Sequence, residues 1–566
     1  MKNFKSLLLL KLPYCTHPDS LSRDEDFRTI STFRPIPSLA LASLCAFLDK
    51  YKTYDYSLKA IDINIEAYTT PEVPIDASIY LGLLTNYIKN NEYDVLALSA
   101  MFVFTTKWVD TAVEHSRKYR PEAKIVIGGG YPTLFPERCL KENGVDDVVI
   151  GEGESTLLHI LNKYNNYKDI EFEKRFPFQG YASKNTKDEV VVVPRTHSLD
   201  LENLPYPAWN YLNVKKYFKN SGDKKLPIEA SRGCPYSCNY CCTYLAWGKS
   251  VRYKTVENMI NEIEEQEDRY NNPTICFIDD NMSFSKKWIT QFLTQLISKN
   301  LSLDASASNF CVKHLDEEVV DLLVKAGVKE FGIAVESGSP QMQKHIRKNV
   351  NFDKVREVVK IMKAKNLHVH VCWMLGFPNE TLQQINSTID FARELKAHSN
   401  QFMTVLPYPG TKLFEDAKSN NLLISPDDDL DKYDNRKCDY LKSDEWNSNQ
   451  LQEIGYDANI ELNFLNNPCL DTAEGRDSIL RRFEDLLLTL PEHIILHICV
   501  GYINKLKNNS VNYEKHYKTA ERLFKNQPLY NTFIKYLSWD FNIVNDFVEY
   551  LKANNKEIGY PFLKRA

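Results

Sequence analysis

Cysteine, basic excess and long apolar runs are all scarce in these 566 residues. Thirteen cysteines over this length are too sparse for a disulfide framework, and no secretory leader opens the chain. That combination predicts a reducing, cytoplasmic location. The net charge of -5 carries no basic surplus, which excludes nucleic acid as the main partner. The apolar start at Leu7 to Leu10 is interrupted by Lys5, Lys11 and Pro13, too short for a membrane span, and reads as a buried parallel strand. Repeats and low-complexity tracts are absent as well. What is present is an ordinary globular composition, 43% hydrophobic and 26% charged, in a chain long enough for two or three domains.

Against that background one run stands out: Arg232-Gly-Cys-Pro-Tyr-Ser-Cys-Asn-Tyr-Cys-Cys-Thr. Cys234, Cys238 and Cys241 offer three thiolates on one loop, enough to hold three corners of a four-iron four-sulfur ([4Fe-4S]) cluster and leave the fourth iron open. A zinc site would need a second cysteine pair or histidines downstream, and the next cysteine, Cys276, stands alone in an apolar run. Cys242 points away from its neighbour and is a bystander. Cys45, Cys139 and Cys372 lie in apolar surroundings and read as buried thiols.

The fold class predicted is α/β. Short apolar runs at Ser6 to Leu12, Leu58 to Ile65, Val95 to Ser99, Lys124 to Ile127 and Asp147 to Ile150 alternate with amphipathic stretches such as Ser38 to Tyr51 and Lys107 to Tyr119, the pattern of an open parallel sheet over residues 1–154. Small or polar residues close the later strands: Ser99, then Gly128-Gly129-Gly130, then Gly151-Glu152-Gly153-Glu154. Ligands in such sheets bind beyond the strand C-termini. A connector over 155–227, rich in proline, reads as an extended strap. Over 228–413 six strands are expected, at Ile228 to Ala230, Thr274 to Ile278, Ser302 to Ala307, Glu330 to Val335, His368 to Leu375 and Phe402 to Leu406, making a partial (β/α)6 barrel with the cysteine loop after its first strand. Residues 414–566 read as mostly helical, a cap over the barrel mouth. Within them Asp427 to Asp431 is a solvated acidic loop, and His493 and His497 are packing or surface residues rather than metal ligands.

The C-x3-C-x2-C run with Tyr240 before its last cysteine resembles the radical S-adenosylmethionine (SAM) superfamily. The turns that follow the later strands agree: Asp279-Asp280-Asn281, Glu336-Ser337-Gly338, Gly376 to Thr381, and Leu406-Pro-Tyr-Pro-Gly-Thr411. The resemblance implies that SAM is held by Tyr240, Asp279, Asp280, Ser308, Glu336, Ser337, Gly376 and Leu406. Ser308 is a departure, since relatives often place an arginine there. The N-terminal region resembles the Rossmann-like cobalamin-binding domain that precedes the barrel in one large subgroup, through Pro37, Ser99, Gly128, Gly129, Gly130, Pro132, Thr133, Gly151, Glu152, Gly153 and Glu154. The D-x-H-x-x-G loop of many cobalamin proteins is missing; His17 stands there without the Asp or Gly at the right offsets, which implies cobalamin without a histidine below cobalt. The likeness spans roughly residues 1–430 and identifies the chain with the cobalamin-dependent radical SAM methyltransferases.

That resemblance implies three cofactors, a [4Fe-4S] cluster, SAM and cobalamin. It implies methylation of an unactivated carbon in a small molecule or natural-product intermediate, with hydrogen abstraction by a 5'-deoxyadenosyl radical and methyl transfer from methylcobalamin. The alternative is a cobalamin-binding cyclase or oxidative rearrangement enzyme. A low-potential electron donor, flavodoxin or ferredoxin, is the implied partner. No catalytic side chain is named by any motif.

Overall fold

The computed structural model describes residues 4–15, 17, 35–52, 54–68, 77–221, 224–304, 309–424, 440–525 and 533–554. Its first sheet has seven strands: β1 (Ser6–Lys11), β2 (Ser57–Asp62), β3 (Val95–Ser99), β4 (Lys124–Gly128), β5 (Asp147–Val149), β6 (Tyr181–Lys184) and β7 (Val190–Val193). Their order is β2-β1-β3-β4-β5-β6-β7, parallel through β5 and antiparallel beyond it. The central parallel strands β1, β3 and β4 carry continuous apolar runs because both faces are covered, and Leu8, Leu10, Val95, Leu96, Ile125 and Ile127 are buried. An order that reverses beside β1 opens a crevice at the strand C-termini.

Two expectations are corrected here. The strand expected from Leu58 to Ile65 stops at Asp62, because the Asp62 carboxylate accepts the N–H of Asn64 and caps a short helix, Ile63–Ala67. The expected connector over 155–227 is not one strap. It begins inside a helix, Glu154–Tyr164, whose Leu157, Leu158 and Leu161 are buried, and it gives β6 and β7 to the first sheet. Around Leu204–Pro207 the chain is extended without a ladder, where prolines exclude a helix.

The second half holds β8 (Lys225–Ile228), β9 (Ser231–Arg232), β10 (Arg252–Tyr253), β11 (Thr274–Phe277), β12 (Leu303–Asp304), β13 (Asn309–Phe310), β14 (Glu330–Glu336), β15 (His368–Leu375) and β16 (Ser399–Thr404). Parallel ladders join β8, β11 and β12, and separately β13, β14, β15 and β16; β9 and β10 form a small antiparallel ribbon. The first barrel strand lies three residues earlier than expected, because the N–H groups of Ala230 and Ser231 leave the ladder for the Asp279 carboxylate. The third is divided: β12 pairs with β11 and β13 with β14, and positions 305–308, with the expected SAM contact Ser308, lie outside the described residues. The sixth ends at Thr404, ahead of Pro407 and Pro409.

The C-terminal part is helical, with Ser448–Ile460, Ala473–Thr489, Ile494–Leu506, Ser510–Phe524 and Asn542–Asn554 around its own apolar core. It does not lie over the barrel mouth alone: Trp446 and Leu451 pack against Gly376 after β15, at that end, while later helices reach the opposite one. The helix Ser448–Ile460 runs beside β16, and Arg482 donates to Glu330 and to His368 (2.7 Å), residues at the N-terminal ends of β14 and β15, the barrel floor. His493 caps its helix by accepting the N–H of Leu496 at 3.2 Å, and His497 bonds His516 at 3.0 Å. The acidic run Asp427 to Asp431 lies outside the described residues. Among the described residues no helix is long and apolar enough to cross a membrane.

Candidate functional site

The cysteine loop leaves β9 and is tied back on both sides. Asn239 donates its N–H to the carbonyl of Ile346, Leu413 donates to Asn239, and Cys241 donates to Cys238 at 3.3 Å. Cys234, Cys238 and Cys241 are free and half-buried, whereas Cys45, Cys139, Cys276 and Cys499 are buried. Burial raises the thiols of Cys234 and Cys238, and Cys241 nearby raises both further, while Lys348 opposes the rise at Cys238. Among the described residues no three such side chains converge as on a single ion. The donor set fits a polynuclear cluster, with three adjacent thiols on one loop and a fourth corner left open. Cys242 begins the helix Thr243–Trp247, and burial pushes its thiol up to about 11.

Around that loop the strand ends differ in what they leave free. The Asp279 carboxylate accepts from the N–H groups of Ala230 and Ser231 and from the Ser231 hydroxyl at 2.5–3.1 Å, so it fastens the start of the cysteine loop. Burial pushes it up to about 7. Asp280 turns instead to the Thr243 hydroxyl just after the cysteines, and burial, with Glu229 close by, pushes it up to about 6. Glu336 ends β14 at a register shift and takes a φ of 70°, rare for a residue with a side chain. Strain of that kind marks functional positions. Its Oε1 accepts from Tyr240 (3.1 Å) and from the Lys348 ammonium (2.8 Å). Burial lowers the Lys348 ammonium, yet the Glu336 carboxylate outweighs it and the net shift is upward. Ser337 is fully buried, bonded to Thr388 and Ser339, and presents nothing to a ligand. Gly376 donates to Glu380 at 2.7 Å, and Leu406 is buried beneath the final turn.

At the first sheet the cobalamin contacts implied by resemblance divide in the same way. Ser99 and Gly128 end neighbouring strands, and Pro37 is buried ahead of the helix Leu39–Tyr51. Gly129 has a φ of 119°, and a Cβ on it would strike the Ala100 carbonyl oxygen; on Gly130 it would strike that of Met101. These glycines admit neighbouring backbone as their first requirement. Pro132 is buried, while Thr133 donates to the Gly129 carbonyl (2.7 Å) and accepts from Gly151 (3.0 Å), joining two strand-end loops. Gly153 packs against Leu44. Glu152 and Glu154 are corrected: both are buried and bind protein. Glu152 accepts from Arg252 (2.6 Å) and Leu199 (2.8 Å), and Glu154 from Arg232 (2.6 Å), so neither offers a carboxylate to a ligand. His17 bonds Thr111 at 3.1 Å and packs edge-on to Trp108.

Several site residues carry no motif. Arg232, two positions before Cys234, is buried among Glu154, Glu152 and Glu229 and welds the barrel to the first sheet. Lys348 lies in a loop without periodicity. Met101 (46% exposed) and Phe102 (40% exposed) project at the end of β3, and Phe102 stacks on Phe104; an apolar stretch placed after a strand end was the available signal. The two halves meet here. The helix Thr243–Trp247, directly after the cysteines, packs on the turn Gly130–Leu134, and a Cβ on Gly151 would stand 2.8 Å from the Ala246 carbonyl oxygen.

A partial parallel barrel with three free thiols after its first strand, facing the strand-end crevice of a second sheet, defines a two-site radical enzyme. Residues 228–392 match the Radical SAM superfamily and residues 36–161 match the B12 binding domain, so the chain joins a radical SAM domain to a B12-binding domain. A cytidylyl-2-hydroxyethylphosphonate methyltransferase of Streptomyces wedmorensis is 23% identical over 496 residues, 80% of this chain and 87% of that one. A bacteriochlorophyllide d C-12(1)-methyltransferase of Chlorobaculum tepidum is 27% identical over 351 residues, 60% of this chain and 69% of its own. The structure of the cobalamin-dependent S-adenosylmethionine radical enzyme OxsB with aqua-cobalamin bound superposes with a TM-score of 0.60 at 14% identity, covering 96% of this chain and 84% of that chain, a likeness of fold.

Proposed function

We propose that this chain methylates an unactivated carbon of a small molecule. The observation that carries the reading is the packing of the helix Thr243–Trp247 on Gly130–Leu134 and Gly151, which brings the three-cysteine loop and the first sheet's ligand crevice face to face. When bound, the cluster with SAM supplies a 5'-deoxyadenosyl radical and cobalamin supplies the methyl group. Cys234, Cys238 and Cys241 would hold the cluster, Glu336 with Tyr240 and Lys348 would orient SAM, and Asp280 would face its ammonium. Met101, Phe102 and the Gly128–Gly130 turn would bound cobalamin. Flavodoxin or ferredoxin in a reducing cytoplasm would deliver the electron. The test is anaerobic reconstitution with iron, sulfide, hydroxocobalamin and a candidate substrate. Two SAM should be consumed per methyl, one recovered as S-adenosylhomocysteine and one as 5'-deoxyadenosine. Deoxyadenosine with an unmethylated, cyclised product would move the chain to the cyclase reading.

A further inference from the structure

A cavity of about 340 Å³ lies between β16 and the helix Ser448–Ile460. Leu375 and Leu451 both line it; Leu375 directly precedes Gly376, and Leu451 is the side chain that Gly376 packs against. The cavity therefore adjoins the turn after the fifth barrel strand. Its polar lining is largely amide, from Asn400, Gln401, Gln452 and Asn459, and no charged side chain lines it. Such a lining offers no opposite charge to offset the desolvation of an ionic ligand.

The strand beside the cavity has a free edge. Among the described residues β16 is bonded on one side only, to β15. Val405 donates to the Leu375 carbonyl at 3.0 Å, so the odd-numbered residues turn their backbone groups toward β15 and the even-numbered ones turn theirs outward. Asn463 already pairs with the first outward residue: its Oδ1 accepts from the Asn400 N–H and its Nδ2 donates to the Asn400 carbonyl, both at 2.7 Å. Phe402 is the next outward residue and lines the cavity. Among the described residues neither its N–H nor its carbonyl has a hydrogen-bond partner. Opposite it, Gly455 lies inside a helix, a poor place for glycine. A Cβ there would meet only Leu375, at 3.7 Å, so the absent side chain leaves space rather than satisfying a close contact.

We infer that this cavity binds a primary carboxamide of an uncharged substrate, the amide oxygen accepting from the Phe402 N–H and the amide nitrogen donating to the Phe402 carbonyl, as Asn463 does at Asn400. The inference deepens the methyltransferase reading by naming the substrate class. The probes are N-acetyl-phenylalaninamide, its methyl ester and the free carboxylate, titrated into the full chain labelled with 15N at phenylalanine. The Phe402 resonance is assigned by its loss in Phe402→Leu. The amide should shift that resonance and bind about tenfold tighter than ester or carboxylate, the margin of one or two buried hydrogen bonds. Phe402→Leu should keep the preference. Phe402→Pro, which removes an outward N–H at an edge position that tolerates proline, should lose it, and Gly455→Leu should abolish binding with cobalamin and iron contents unchanged. Equal affinities, no binding of any probe, or full binding by Phe402→Pro overturns the inference. If the proline variant misfolds by circular dichroism, the three probes and Gly455→Leu decide. The titrations consume no SAM, so their failure and failure of methyl transfer are told apart.

Discussion

Glu380 shows how a single side chain in a motif can serve the turn that contains it. It is fully buried, its Oε2 accepts from Gly376 (2.7 Å) and Phe377 (3.0 Å), and among the described residues its Oε1 has no partner. Burial pushes the carboxyl up to about 7 against the pull of those two N–H groups, from 4.5 in an exposed chain. Between those values the folded state holds a proton that the unfolded state releases, so stability falls as pH rises through the window. Glu380→Gln keeps an acceptor for both N–H groups and removes the titration. Its melting temperature should therefore vary less than that of the wild type from pH 5 to 8, with its relative advantage growing toward pH 8. Parallel melting curves for the two proteins would exclude this account.

At the scale of elements, the joint between the sheet and the barrel rests on Arg232. Its guanidinium donates to Glu154 (2.6 Å) and Glu229 (2.7 Å), with all three groups largely out of water. Burial lowers the Glu154 acid's tendency to ionise, yet Arg232 outweighs it and holds that carboxyl below the usual range. Removing one partner of a buried ion network leaves uncompensated charge, so Arg232→Met should cost about 3–5 kcal/mol in chemical denaturation. A loss below about 1 kcal/mol would show the joint to be held by other contacts. The strand-end turns behave differently. Gly129→Ala meets both a left-handed backbone and the Ala100 carbonyl, and should destabilise the N-terminal sheet by more than ~1 kcal/mol, with cobalamin retention falling alongside. Retained stability with lost cobalamin would instead make Gly129 a pure ligand contact.

For the whole molecule the question is whether two sites so closely joined load independently. Among the described residues the strands of the first sheet pair only with one another and the cysteine loop belongs to the barrel, although one apolar core runs through both. Replacing Cys234, Cys238 and Cys241 with alanine should remove iron and SAM cleavage together, while the visible spectrum of bound cobalamin persists at near-stoichiometric level. Loss of cobalamin in a folded triple variant would show that the cluster loop, through the helix Thr243–Trp247, completes the second site.

Sequence alone determined the elements whose signal is local. The apolar runs of β1, β3 and β4 were legible because a strand buried on both faces must be apolar throughout, β15 because buried Val369, Val371, Trp373 and Leu375 alternate with half-buried residues, and the cysteine loop because cluster ligands cluster in sequence. What only the tertiary structure decided is where polar groups end. Glu152, Glu154 and Asp279 occupy the positions their motifs require, yet their carboxylates are taken by Arg232, Arg252 and backbone N–H groups distant in sequence. The same holds for the helix Ser448–Ile460, whose amphipathic pattern says that it packs but not against what. It became a side wall along β16, and just beyond it Asn463 pairs with the Asn400 backbone at the strand's free edge. Periodicity records which face is buried, and partner choice is a property of the assembled chain.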